Sequence, residues 1–71
     1  MQRHHVKSSA LQSIGYDPGT HVLELEFHEN GGVWQYLNFK PAALKKFLSS
    51  QSLGNYFVTQ IKGKYPERKM S

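Results

Sequence analysis

At 71 residues the chain is long enough for one domain, and short enough that its core has to draw on large side chains. It has no cysteine and no apolar run near the ~20 residues that span a bilayer, which excludes disulfides, thiolate metal sites, thiol nucleophiles and a membrane-spanning helix. A net charge of +4 with the histidines neutral directs attention to polyanionic partners.

In chain order, Met1 to His5 is polar with no apolar run behind it and does not read as a signal peptide. A small domain without disulfides is expected in the cytoplasm. Val6 to Tyr16 reads as a first strand. Val6, Ile14 and Tyr16 share one phase of the alternation and Leu11 the other, so a bulge near Gln12, between Leu11 and Ser13, is needed for all four to face inward. Asp17-Pro18-Gly19 reads as a turn: Pro18 presets φ, Gly19 takes a positive φ and Asp17 bonds its own backbone. In His21 to His28, Leu23, Leu25 and Phe27 alternate with Glu24, Glu26 and His28, giving one apolar and one charged face. Asn30-Gly31-Gly32 closes a hairpin, and Val33 to Phe39 returns as a third strand.

Two hairpin registers are open. A two-residue Asn30-Gly31 loop pairs Phe27 with Trp34 and Leu25 with Tyr36, placing both rings on the core face. A three-residue loop pairs Phe27 with Gln35, Leu25 with Leu37 and Leu23 with Phe39, placing Trp34 and Tyr36 among the glutamates as a platform for unpaired bases. The core is favoured for Trp34 because a small domain needs the buried area; Tyr36 stays open.

Pro41 starts a helix whose stripe is Leu44, Phe47 and Leu48, with Lys45 and Lys46 outward. A second helix runs from about Ser52 or Leu53 to Tyr65, with Leu53, Phe57, Ile61 and Tyr65 inward and Val58 broadening the stripe; Pro66 stops it. The expected fold is α+β: a three-stranded antiparallel meander followed by two helices on one face, in a single domain over 1–71 with its core at about 6–65 and frayed ends. The first strand is expected at an edge of the sheet.

These residues, in this order and spacing, resemble the KTSC domain over about residues 6–65. The likeness rests on Val6 with Ser8-Ser9, Ile14-Gly15-Tyr16-Asp17, Leu23-Glu24-Leu25, Phe27, Trp34-Gln35-Tyr36 at the family's central Tyr-x-Tyr, Phe47-Leu48, Ser52-x-Gly54-x-Tyr56-Phe57, Ile61-Lys62 and Tyr65. Trp34 replaces the first tyrosine, Pro41 comes one place later than the family's proline, and Val58 stands where an asparagine is common. The family occurs at the C-terminus of some lysyl-tRNA synthetases and as a stand-alone bacterial protein. The resemblance implies a small binding module of unassigned function, with RNA binding suggested by the synthetase attachment. Ser8, Ser9, Trp34, Tyr36, Gly54 and Phe57 carry the family pattern and are expected to be structural.

Candidate chemistry narrows to charge. His4 and His5 are adjacent near one end, and His21 and His28, seven apart on one strand, point to opposite faces, so no metal or cofactor site is expected. Glu24 and Glu26 share an open face where they look solvated, without the enclosure that raises a carboxyl pKa. Ser8, Ser9, Ser13, Ser49, Ser50 and Ser52 lack a nucleophile-elbow context, and no enzymatic activity is expected. Ser8-Ser9 is expected to satisfy backbone groups near an irregular strand end. Residues 21–39 carry Glu24, Glu26 and Glu29 and no lysine or arginine, whereas residues 40–71 carry Lys40, Lys45, Lys46, Lys62, Lys64, Arg68 and Lys69 against Glu67 alone. Lys45, Lys46, Lys62, Lys64, Arg68 and Lys69, with Tyr56 and Tyr65, form the candidate RNA-binding set. The competing account of the lysines is that they offset helix dipoles. The alternative partner is another protein or a second copy, docked on the open sheet face or an edge strand.

Overall fold

In the computed structural model, which describes residues 2–71, one antiparallel sheet contains β1 (Arg3–His5), β2 (Leu11–Asp17), β3 (Val22–Phe27), β4 (Gly32–Tyr36) and β5 (Glu67–Lys69), paired in that order. Between β4 and β5 lie α1 (Pro41–Leu48) and α2 (Leu53–Tyr56), the latter running on into a π-helical turn (Phe57–Ile61). The α+β class and the two helical segments agree with the sequence. The three expected strands are β2, β3 and β4, and the segments expected to fray add a strand at each edge. Strand β2 is therefore interior and not an edge. Three polar residues carry no hydrophobic signal, so β1 and β5 form through backbone bonds that any residue can offer.

The bulge falls where the phase change demands it, between Leu11 and Ser13. It turns Leu11 toward the core and Ser13 to the other face, where its hydroxyl donates to Glu26 Oε1 at 2.8 Å. At the β2–β3 turn the Gly19 N–H donates to Asp17 Oδ1 at 2.9 Å, as expected. The positive φ, however, is taken by His21 (58°) and not by Gly19, because the loop runs to four residues and closes through His21 N–H to the Asp17 carbonyl at 2.8 Å.

Neither expected hairpin register occurs. The β3–β4 turn is His28–Gly31, closed by Gly31 N–H to the His28 carbonyl at 3.1 Å, with Glu29 and Asn30 at φ 58° and 62°. Positive φ at both central residues is the hairpin turn whose twist matches the strands. Phe27 then pairs with Gly32, Leu25 with Trp34 and Leu23 with Tyr36. This is a slip of two residues from the two-residue-loop register, so the parity survives and both rings face the helices. Gly32 has φ 85°, and a Cβ there would lie 2.4 Å from the Ser71 carbonyl oxygen, so this start of β4 admits only glycine.

Pro41 occupies the first turn of α1 behind an extended Lys40, and Ser52 Oγ accepts the Asn55 N–H at 3.2 Å to cap α2. The second helix ends at Ile61, short of Tyr65. Lys62 N–H reaches back five residues to the Phe57 carbonyl at 2.8 Å, and Gly63 at φ 77° turns the chain away. Tyr65 leaves the helix and packs on Phe39, centroids 4.8 Å apart. Val58 is 61% exposed, because the turn that aims Phe57 and Ile61 inward aims Val58 out. Leu11, Leu23, Leu25, Phe39, Phe47 and Ile61 are fully buried between sheet and helices. Phe39 lies beyond β4, tied by its N–H to the His21 carbonyl at 2.8 Å and by its own carbonyl to the Tyr16 hydroxyl.

The opposite sheet face is polar and internally paired. Gly15 stands between Arg3 and Glu24 in the ladder, and its missing side chain lets the Arg3 guanidinium cross β2 to donate to Glu24 Oε2. Gln35 Nε2 donates to Glu24 Oε1 at 2.8 Å, and Arg68 donates to Gln35 Oε1 at 2.9 Å. Glu24 is only 8% exposed, which corrects the expectation of a solvated carboxylate. Burial opposes its charge, but the hydrogen bonds from Gln35 and Arg3 and the Arg3 charge outweigh it and hold the carboxyl below its ordinary value.

Candidate nucleic-acid interface

Alternation along β4 and β5 decides which candidate side chains meet. Trp34 pairs with Lys69, Gln35 with Arg68 and Tyr36 with Glu67. Trp34, Tyr36, Glu67 and Lys69 therefore share the helix side, and Arg68 points to the polar face. The Lys69 ammonium lies 5.9 Å from the Trp34 ring centroid, within cation–π range. Trp34 is half-buried, and its Nε1–H donates to the Gly31 carbonyl at 3.2 Å. Tyr36 is buried edge-on to Phe57, centroids 5.5 Å apart. Burial, aided by the nearby Glu67 charge, pushes its hydroxyl up to about 12, so it stays neutral at any physiological pH.

A cleft of about 320 Å³ opens between the β3–β4 turn and the π turn. Its walls are Phe27, Trp34, Tyr36 and Phe57, and its charged lining is Lys62 and Glu67. Lys62 follows the π turn, its N–H bonded to the Phe57 carbonyl, and this brings it to the rim of the cleft. The recess thus combines a half-buried indole with one ammonium and one carboxylate, over rings that pack edge to face beneath it.

The other candidates are spread out. Lys45 and Lys46 are exposed in the last turn of α1, and Lys64 is exposed beyond Gly63. Tyr56 packs on Phe47 with centroids 5.5 Å apart, and Tyr65 on Phe39, so each ring is partly spent on the core. Arg68 is engaged by Gln35 on the far face. Glu67 was not legible as a site residue, since Glu67–Lys69 carried no sign of strand beyond the alternation of Glu67 and Lys69 after Pro66.

The family-pattern residues have definite local tasks. Ser8 Oγ accepts the Ala10 and Leu11 N–H groups, both at 3.2 Å, at the entry to β2. The exposed Ser9 follows it. The Ser8 carbonyl accepts from His28 Nε2 at 3.0 Å, which places the ring proton on that nitrogen. A Cβ at Gly54 would stand 3.0 Å from the Ala10 Cβ, so the absent side chain lets α2 settle against the same segment. His21 and His28 both lie in turns outside β3, so the alternation that assigned them opposite faces does not govern them. Among the described residues no three His, Asp or Glu side chains gather as metal ligands, and no helix is long and apolar enough to cross a membrane.

Comparison with known proteins places this geometry in a family. The model of the KTSC domain matches residues 7–65. An uncharacterised protein of Stutzerimonas stutzeri (strain A1501) is 39% identical over 57 residues, covering 80% of this chain and 79% of the relative. A protein of Tsukamurella paurometabola is 30% identical over 60 residues, covering 84% and 88%. The crystal structure of a KTSC domain protein from Yersinia pestis superimposes with a TM-score of 0.93 at 43% identity, covering 99% of this chain and 97% of that one. The chain belongs to the KTSC domain family.

Proposed function

We propose that this KTSC domain is a non-catalytic binding module that takes single-stranded RNA on its helix side, around Trp34, with affinity supplied mainly by phosphate contacts. The observation that carries this is the meeting of Trp34, Lys69 and Lys62 on one surface. A half-buried indole flanked by ammonium groups offers stacking and phosphate neutralisation together, the pairing used by proteins that bind unpaired strands. The polar sheet face is the poorer site: Arg3 is paired there with Glu24, and the Glu24 and Glu26 carboxylates set as much negative charge on that face as Arg3 and Arg68 set positive. An RNA context is also what attachment of such domains to lysyl-tRNA synthetases implies, and the cytoplasm is where the module would meet it.

The test is titration of a short unstructured RNA at low salt, read by emission of Trp34, the sole tryptophan. Quenching with micromolar affinity, and an affinity that falls steeply with salt, is the expected result. No binding at tens of micromolar, or binding indifferent to salt, overturns it.

A second reading, docking of another protein or a second copy, has its own observation. A groove of about 270 Å³ beside the edge strand β1 is lined by His4, Val6, Ile14, Tyr16, Leu44 and Leu48, and Leu48 is 52% exposed. Light scattering separates the two: a stable dimer lost in Leu48→Lys supports the second.

A further inference from the structure

We propose that β1 is the seam of a symmetric dimer, in which a second copy of this chain continues the sheet edge to edge. The inference rests on the second reading above and commits it to one partner. The Trp34 surface, on β4, lies toward the other end of the sheet and stays open.

One bond fixes which backbone groups β1 shows to its outer side. Val6 N–H donates to the Gln12 carbonyl at 3.2 Å, one step beyond the pairing of His5 with Ser13. In an antiparallel ladder, bonded pairs alternate with unbonded ones. His4 is therefore bonded to Ile14, and the N–H and C=O groups of Arg3 and His5 point away from β2, where no strand of the described residues meets them. This pattern is complementary to itself. About a two-fold axis at His4, Arg3 of each copy lies opposite His5 of the other, and each such pair exchanges both of its N–H···O bonds. The register leaves no residue of β1 unpaired.

Charge distinguishes this edge from the opposite one, since exposed edges are commonly guarded by charged side chains. Strand β5 carries a charge at each position, Glu67, Arg68 and Lys69. Arg3, the only lysine or arginine of β1, is drawn back across Gly15 to Glu24. That withdrawal leaves the edge unguarded and spends the charge that would attract an acidic strand, so a second copy is the better fit. The apolar groove beside β1 adds contact area. Its floor is His4, Val6, Ile14 and Tyr16, and its wall is Leu44 and Leu48. The floor ends at β1, so an added strand prolongs it alongside the exposed Leu48.

The full chain is followed by sedimentation velocity and amide hydrogen exchange from micromolar to millimolar concentration, because so short a seam gives a weak dimer. A dimer should form in that range. Exchange at Arg3 and His5 should slow at least fivefold as concentration rises, while exchange at Lys69, on the other edge, stays constant. His5→Pro removes an outward N–H and spares the bonds between β1 and β2, so it should keep the chain monomeric with unchanged far-UV circular dichroism. The exchange measurement on the wild type decides the matter should that variant misfold. A chain that stays monomeric at millimolar concentration overturns the dimer and leaves the groove to another protein. A dimer that persists in folded His5→Pro, or that forms without slowing exchange at Arg3 and His5, overturns the seam and leaves a second copy docked in the groove.

Discussion

The two faces of this sheet come from the same alternation and are held by different forces. On the helix side Leu23, Leu25 and Tyr36 are buried under Phe47, Phe57 and Ile61, and cohesion there is apolar and indifferent to salt. On the other side Arg3, Glu24, Gln35 and Arg68 form a chain of hydrogen bonds across the strands, whose strength depends on charge. The edge strands belong to this second regime. Strand β1 is exposed at all three residues, so the Arg3 bridge over Gly15 is its main side-chain anchor. A small domain can thus keep its core on one face and use the other to close its sheet edges.

The largest test of the contrast is on the apolar side. Phe39→Ala should cost about 3–5 kcal/mol in denaturant unfolding, because the ring is fully buried and touches Tyr16, Phe47 and Tyr65. Its cost should be the same in low and high salt. Arg3→Ala should cost about 1–3 kcal/mol, since it leaves the Glu24 carboxylate buried with one partner gone. Unlike the Phe39 variant, it should deprotect the amides of β1 and β2 in hydrogen exchange. A cost near zero would break the contrast.

Acid probes the same pair more gently. The folded pKa of Glu24 is lowered from about 4.5, so its contribution is fully present above that value and is lost as pH falls through the folded pKa. Wild type should lose stability over that window, and Glu24→Gln should lose less, as read by urea midpoints from pH 6 to pH 2.5. Smallest of all, Arg68→Ala removes an exposed hydrogen bond and should change stability by no more than about 0.5 kcal/mol. A larger loss would mean that β5 depends on its side chain as β1 does.

Local signals were legible wherever a residue type constrains its own backbone. The bulge at Gln12, the Asp17 turn, the start of α1 at Pro41 and the Ser52 cap all appear where their chemistry places them. The helical face of Trp34 was legible too, because the need for buried area selects the parity. The candidate site was legible only in part. Lys62 and Lys69 were in the basic set, but their meeting with Trp34 required a π turn and a fifth strand that nothing in Phe57–Lys69 announced. Arg68 was grouped with Lys69 by adjacency, and a strand sends neighbours to opposite faces.

The amino-acid sequence by itself determined the α+β class, the inward residues of β2 and β3, the starts of both helices and the basic bias of the C-terminal half. Tertiary structure alone decided the hairpin register, the two edge strands, the end of the second helix and the company that Trp34 keeps. The division has one physical cause. A side chain dictates its own φ and its own face, but a strand's partner is chosen by backbone groups that are alike in every residue, and is settled only when the rest of the chain is in place.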